Sequence, residues 1–504
     1  MTATTEPSPA PLPRITAYAG RPPVPVDPGR AAPFGWWPAV CVALVALIDR
    51  VEANLMAGAL PRIQEEFGFS DTAGGAIATA AALAGVILLI PAGRLADRTR
   101  RTWTIAAVVA VWSLLTLGSG LVQSYATLFA VRVFLGGAGL LYNPSGSSLI
   151  ADYYPGPGRA RAYGLERFAY YSGLPLGIMA GGALAQAFGW RMMFFLVAVP
   201  GAVIALLCLT VREPVRGLGD RIEAMRAGRA DATPGTPPDP APDTTPDTTP
   251  DPAPAQAPGT AGTAGTTGTT GTTGTTKTAG AASPEPVAAQ LRTLLAIPTL
   301  RSVVLGLTML FFGLGGLFYW MPSYYQRAYD LAEGPAAAIA GGVGLAGMVL
   351  GTLLGSRYGD RRHGLSPGWR VHIGAIGLAI GTAGLAGAVL IPALPGQIAF
   401  YFLANTGFSI AIPNLTAATA DVVSADRRGL GFAVLQFLIT LGGAAGPLLV
   451  GAASDLTGSL RGAFTALLLP LLAGTLVTFG GRRHYDADAD AAAARAVPPA
   501  GQPS

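Results

Sequence analysis

Twelve apolar stretches constrain this chain more than any single motif. They lie near 34–60, 72–92, 103–122, 126–151, 161–188 and 191–211, then near 299–326, 335–357, 370–392, 396–422, 429–453 and 460–480. Each has about 20 residues or more, enough as a helix rising 1.5 Å per residue to cross a hydrocarbon layer of ~30 Å. Lipid offers backbone N–H and C=O groups no partner, so such stretches become helices. Composition agrees: 51% of residues are hydrophobic and 12% charged, about half the charged share of soluble domains. The expected fold is an all-α membrane protein with about 12 transmembrane helices.

The stretches fall into two sets of six, and a short basic loop repeats in each. Gly-Arg-Leu-Ala-Asp-Arg-Thr-Arg-Arg occupies 93–101, and Gly-Ser-Arg-Tyr-Gly-Asp-Arg-Arg occupies 355–362. A repeated loop at corresponding positions marks a duplicated helical unit, here two six-helix halves related by a pseudo-two-fold axis. The expected segments are a disordered tail at 1–32, a first bundle at 33–211, a low-complexity linker at 212–292, a second bundle at 293–481 and a disordered tail at 482–504. The linker begins basic and continues as Thr, Pro, Gly, Ala and Asp, including GTTGTTGTTGTT, a composition that fills no core.

Arginine sets the orientation. One side collects Arg94, Arg98, Arg100, Arg101, Arg159, Arg161, Arg357, Arg361, Arg362, Arg370, Arg427, Arg428, Arg482 and Arg483; the other has only Arg62, Arg191, Arg327 and Arg461. The positive-inside rule places both termini and the linker in the cytoplasm, and the expected location is the cell inner (plasma) membrane. Cys41 and Cys208 lie in apolar stretches and read as small buried hydrophobes without a disulfide. No P-loop, His-Glu-x-x-His, Gly-x-Ser-x-Gly or cysteine cluster is present, so the chain does not read as an enzyme and no metal or cofactor is expected.

Two six-helix halves, a long middle loop and GRLADRTRR resemble the major facilitator superfamily, whose signature loop Gly93, Asp97, Arg98 and Arg101 match; Arg132 and Gly136 fit its fourth-helix Arg-x-x-x-Gly. Within it, Asp49-Arg50 followed by ALPRIQEEFGFSD, GWRMMFF, Val-Arg-Glu-Pro, Tyr319-Trp320-Met321-Pro322 and GPLLVGAASDLTG resemble spinster-like transporters and the neighbouring anion:cation symporters. Gly139 stands where spinster-like chains usually have a Glu, seven residues after the Arg.

Ionisable groups inside membrane helices are costly and are functional candidates by default. Asp49 and Glu52 share one face of the first helix, and the resemblance brings Arg132 of the fourth helix beside them. An ion pair there, with Glu166 of the fifth helix as a further protonatable group, is the expected proton switch. Arg50 is expected to stand off the Asp49 face, towards substrate or another helix. Candidate cavity groups are Asn54, Tyr142, Asn143, Tyr170, Tyr171, Tyr319, Trp320, Tyr324, Asn405, Asn414 and Gln436, and candidate gate elements are Gly93, Asp97, Arg98, Arg101, Asp360 and Arg361. The expected function is secondary active, proton-coupled transport of a small amphiphilic molecule, lysolipid-like among the options, by alternating access. Organic-anion/proton symport, drug/proton antiport and a non-transporting sensor are the alternatives. The expected partners are substrate, protons and the lipid bilayer, with no nucleic acid, and the chain is expected to act as a monomer. A cysteine introduced at position 250 should resist an impermeant reagent added outside intact cells; efficient labelling would overturn the orientation.

Overall fold

The structure, a computed structural model, describes residues 12–139, 141–231, 292–363, 368–424 and 427–494. The first half contains α1 (Trp37–Phe67), α2 (Asp71–Arg98), α3 (Arg101–Ser119), a fourth span split into α4 (Tyr125–Gly139) and α5 (Tyr142–Tyr153), α6 (Gly156–Phe188) and α7 (Trp190–Leu209). Helix α8 (Leu218–Asp231) opens the linker. The second half contains α9 (Pro298–Tyr329), an eighth span built from α10 (Glu333–Ala338), a π-helical turn (Ile339–Val343) and α11 (Gly344–His363), then α12 (Trp369–Leu390), α13 (Leu394–Val422), α14 (Arg428–Thr457) and α15 (Leu460–Ala494). Among the described residues, ten spans are long and apolar enough to cross a membrane. The other two long helices, α1 and α6, carry Asp49, Arg50, Glu52, Glu166 and Arg167.

Close helix packing depends on missing side chains. A Cβ at Gly173, Gly177 or Gly181 of α6 would lie 2.5 Å from Arg50 Cβ, 2.4 Å from the Val51 carbonyl oxygen and 2.0 Å from the Leu55 carbonyl oxygen of α1, respectively. Small residues every fourth position thus let the backbones meet, as the Gly177–Gly181 spacing predicts. The same device joins the halves: a Cβ at Gly75 would lie 2.2 Å from the Pro447 carbonyl oxygen, and one at Gly341, in the π turn, 2.6 Å from the Pro175 carbonyl oxygen.

The duplication extends to ion pairs at the helix ends on the terminus side. Arg101, the first residue of α3, is 1% exposed; it pairs with Asp152 and donates to Glu213 Oε1 at 2.8 Å and Ser148 Oγ at 2.8 Å. In the second half Arg370 donates to Asp421 at 2.8 Å, and the Tyr485 hydroxyl donates to the same carboxylate at 2.7 Å. The sequence separation is 51 residues from Arg101 to Asp152 and 51 from Arg370 to Asp421. Burial pushes the Glu213 carboxyl up, but hydrogen bonds from the Thr102 amide, the Arg101 guanidinium and the Thr102 hydroxyl outweigh this and hold it below the usual range.

The tails correct the sequence reading where they are described. Arg14–Ile15 (β1) and Val24–Pro25 (β2) form an antiparallel hairpin, and Ile15, Ala17 and Val26 bury a small core with Leu218 and Ile222 of α8. Neither segment has enough apolar residues to form a core alone; together they do. Gly156 N–H donates to Glu223 at 2.6 Å, which ties this unit to the start of α6. Residues 482–494, expected as a tail, continue α15, where Tyr485 is buried and Asp488 accepts the Thr299 N–H at 2.9 Å. Residues 1–11, 232–291 and 495–504 lie outside the described residues.

Gly181→Ala should lower thermal stability by at least the ~1–3 kcal/mol of an overpacked contact. Gly164→Ala, where a Cβ meets nothing within 4 Å, should leave it unchanged or raised. Equal melting temperatures for the two variants would overturn the seam.

Candidate functional site

The far side, away from both termini, is sealed by contacts between the halves. Arg327 at the end of α9 donates to Asp71 at the start of α2 through Nη1 at 2.7 Å and Nη2 at 2.8 Å; Gln64 and Ser454 donate to the same carboxylate at 2.9 and 2.7 Å. Arg62 near the end of α1 pairs with Glu333 at the start of α10 at 2.8 Å. The two pairs have the same logic, each joining the end of a half's first helix to the start of the other half's second, as pseudo-two-fold symmetry requires. Asp455 accepts the N–H groups of Asp71 and Thr72 at 3.1 and 2.8 Å. Deeper, Tyr319 donates to the Gly74 carbonyl at 2.8 Å and Thr79 to the Ala444 carbonyl at 2.6 Å.

On the terminus side the halves part around a cavity of about 410 Å³, lined by Tyr171 of α6 and by Phe311, Ile412, Phe432, Gln436 and Ile439 of the second half. Its second-half wall is mainly apolar. Near Tyr171 the first half carries charge: Arg50 lies over the Tyr170 ring at 4.7 Å and Arg167 over the same ring at 5.8 Å. Asp49 neutralises Arg50 at 2.5 Å and Glu166 neutralises Arg167 at 3.2 Å. Asn54 donates to the Arg50 carbonyl at 2.7 Å.

The expected Asp49/Glu52–Arg132 pair does not form in this conformation. Asp49 turns to its neighbour Arg50, which contradicts the separation of those two side chains expected around the helix. Arg132 donates to the backbone carbonyls of Glu52 and Ala53 at 3.3 and 3.4 Å and lies 5.6 Å from the centroid of the Phe194 ring. Glu52 faces α3 and accepts from Thr116 at 2.8 Å. A Cβ at Gly139 would lie 2.7 Å from Asp49 Oδ1, so the Asp49 carboxylate takes space that a side chain at 139 would need. Beside it Leu141 N–H bonds to the Ala138 carbonyl at 3.0 Å.

Other candidates separate by position. Tyr171 and Gln436 line the cavity, and Arg50, Asn54, Tyr170 and Glu166 belong to the charged cluster beside Tyr171. Tyr319 belongs to the far-side seal, and Trp320 is buried behind it, donating to the Pro447 carbonyl at 2.8 Å. Tyr324 faces a far-side recess with Arg327 and Arg461. Asn405 and Asn414 are buried and donate to the Tyr401 and Gly355 carbonyls, each at 2.9 Å, as packing contacts inside the second half. Tyr142 is buried with an unpartnered hydroxyl, and Asn143 is half-buried. Among the gate candidates, Arg101 is committed to Asp152 and Glu213 inside the first half, and Arg361 is exposed. The Gly93, Asp97, Arg98 and Asp360 side chains lie outside the described residues.

Sequence reasoning missed Asp71, Glu333, Gln64 and Asp455. Its signal was the scarcity of far-side arginines. All four tie helix ends: Arg62 to Glu333, Arg327 to Asp71, Arg191 to Glu66 at 2.6 Å, and Arg461 to the Val389 and Leu390 carbonyls.

Two six-helix halves that seal one side and open the other form the architecture of an alternating-access carrier. A model of the Major Facilitator Superfamily matches residues 42–447, and the chain belongs to that superfamily of transporters. Protein spinster of Drosophila melanogaster is 27% identical over 202 residues, 39% of this chain and 33% of that protein. Puromycin resistance protein pur8 of Streptomyces alboniger is 31% identical over 176 residues, 35% of each. The aligned segments therefore span about a third of these relatives' length. A crystal structure of a bacterial homolog of the human lysosomal transporter Spinster, inward-facing and unoccupied, shares the fold with TM-score 0.64 and 20% identity, covering 92% of this chain and 98% of that one.

Arg327→Ala removes both hydrogen bonds to Asp71, each worth roughly 1.5–3 kcal/mol to a charged partner before solvent screening. In that background a cysteine at position 79 should react several-fold faster with a water-soluble maleimide applied from the far side. An unchanged rate would remove the gate role.

Proposed function

We infer that this chain carries a small amphiphilic organic molecule, with a lysolipid-like compound as the type substrate, by proton-coupled alternating access. It would act as a monomer in the plasma membrane, with both termini and the linker in the cytoplasm. The observation that carries this reading is the asymmetry of the cavity. One side is Tyr171, with the Arg50, Arg167 and Tyr170 cluster and its carboxylates next to it, and the other is mainly aromatic and aliphatic. A polar head finds ionic and hydrogen-bonding groups on the first side, while an apolar tail removes the second from water. The arginine bias supports the orientation, and the sealed far side then makes this the cytoplasm-open state.

The carboxylates available for a proton are Asp49, Glu52 and Glu166. Of the alternatives, drug/proton antiport is favoured by the pur8 match and by the same apolar wall. Organic-anion symport fits less well, because Asp49 and Glu166 already neutralise Arg50 and Arg167. Substrate flux distinguishes a carrier from a sensor.

The test is flux in proteoliposomes with a fluorescent lysolipid and with puromycin, with and without a pH gradient. Substituting the coupling carboxylate (Asp49→Asn, Glu52→Gln or Glu166→Gln) should abolish pH-driven accumulation of the transported probe while exchange without a gradient survives. Full pH-driven transport in all three variants would defeat proton coupling through these groups. Transport of puromycin without the lysolipid would favour the antiport reading.

A further inference from the structure

The two ion pairs of the far-side seal occupy equivalent places but are not equally made. Asp71 is buried and both its oxygens are used: Oδ1 accepts from Gln64 and Arg327, and Oδ2 from Arg327 and Ser454. It opens α2, which is assigned as one helix from Asp71 to Arg98. Glu333 is also buried; its Oε1 meets Arg62 Nε at 2.8 Å, but Oε2 has no hydrogen-bond partner. It opens α10, only six residues long, which passes into the π-helical turn Ile339–Val343 before α11 begins. The Tyr401 hydroxyl donates to the Ala340 carbonyl in that turn at 3.0 Å. Helix α10 rests on the first half: a Cβ at Gly182 of α6 would lie 2.5 Å from the Glu333 carbonyl oxygen, and Gly334 N–H donates to Gln186 Oε1 at 2.8 Å.

The surroundings of Glu333 hold one charge. From α1 comes Arg62, the one charged group within its electrostatic reach among the described residues. From α6 come Gly182 and the uncharged Gln186, and the π-helical turn carries no ionisable side chain. From α9, Arg327 is committed to Asp71 and Gln64. A buried carboxylate with one partner and one unused oxygen is costly when ionised. A π turn marks a place where the helical hydrogen-bond ladder is already interrupted, and such turns recur at functional sites. We propose that α10 is a far-side flap: a proton from the far-side compartment binds Glu333, Arg62 lets go, and α10 swings about the π turn while the Arg327–Asp71 pair still holds. Water delivers the proton, the O–H bond forms at Oε2, and Oε1 is left a neutral acceptor in place of an anion. Arg62 keeps the Ala185 carbonyl of its own half at 3.2 Å. Protonation of Asp71 would disturb four hydrogen bonds, against one ion pair at Glu333. Far-side opening is therefore sequential, α10 leaving α1 before α9 leaves α2, and acid on the far side favours it. None of this depends on a proton at Asp49, Glu52 or Glu166.

Spin-label distances in the full chain, held in lipid nanodiscs, test this without knowledge of the substrate. One pair of labels, at Glu65→Cys and Ala332→Cys, spans the α1–α10 contact from exposed positions; a second, at Gln123→Cys and Leu456→Cys, spans the two halves on the far side. Acidification should lengthen the first distance by several ångström and leave the second unchanged. With Glu333→Gln the first distance should be long at neutral pH and should no longer respond to acid. Arg62→Gln releases the same contact from the other side and should also lengthen the first distance at neutral pH, a readout that remains if Glu333→Gln fails to fold. A first distance that ignores acid in the unsubstituted background, an acid response that survives Glu333→Gln, or lengthening of both distances together overturns the flap.

Discussion

A charge taken into hydrocarbon must bring its partner with it, and most of this molecule's architecture follows from that demand. Arg101 is buried because Asp152, Glu213 and Ser148 meet it. Arg370 repeats the pair with Asp421, whose carboxylate also accepts from the Tyr485 hydroxyl. On the far side, Arg327 with Asp71 and Arg62 with Glu333 hold the halves together. These contacts fix which helix ends meet, and so which side of the membrane is closed.

The same demand gives the midplane its chemistry. Asp49 satisfies it through Arg50, and Glu166 through Arg167. Glu52 and Arg132 satisfy it only in part, each with one buried atom unpartnered. Fully paired charges lock a conformation, whereas partly paired ones change partners when the conformation changes. The far-side ion pairs and the midplane groups are linked through α9, where Tyr319 bonds to Gly74 in the seal above Arg132.

Glycine supplies the geometry that makes such pairing accurate. The α1–α6 seam brings backbones together at Val51 and Leu55 and thereby places Arg50 over Tyr170 and beside Gly173. The missing side chain at Gly139 leaves room for the Asp49 carboxylate. Both features are local and readable as residue types, yet their purpose appears only when the neighbouring helix is in place.

The sequence alone determined the spans, their number and their division into two halves, because hydrophobic length and a repeated loop are one-dimensional signals that lipid enforces directly. It also picked out Asp49, Glu52, Arg132 and Glu166, since any charge within an apolar stretch is conspicuous. Tertiary structure decided the partners. Arg132 meets carbonyls and not a carboxylate, Asp49 turns to its own neighbour, and Tyr319 with Arg327 serves the seal. The hairpin at residues 14–25 gains a core only from Leu218 and Ile222, about 200 residues away. Pairing between residues as distant as Asp71 and Arg327 depends on how the two bundles dock, and docking is a balance of many weak contacts that no local pattern records.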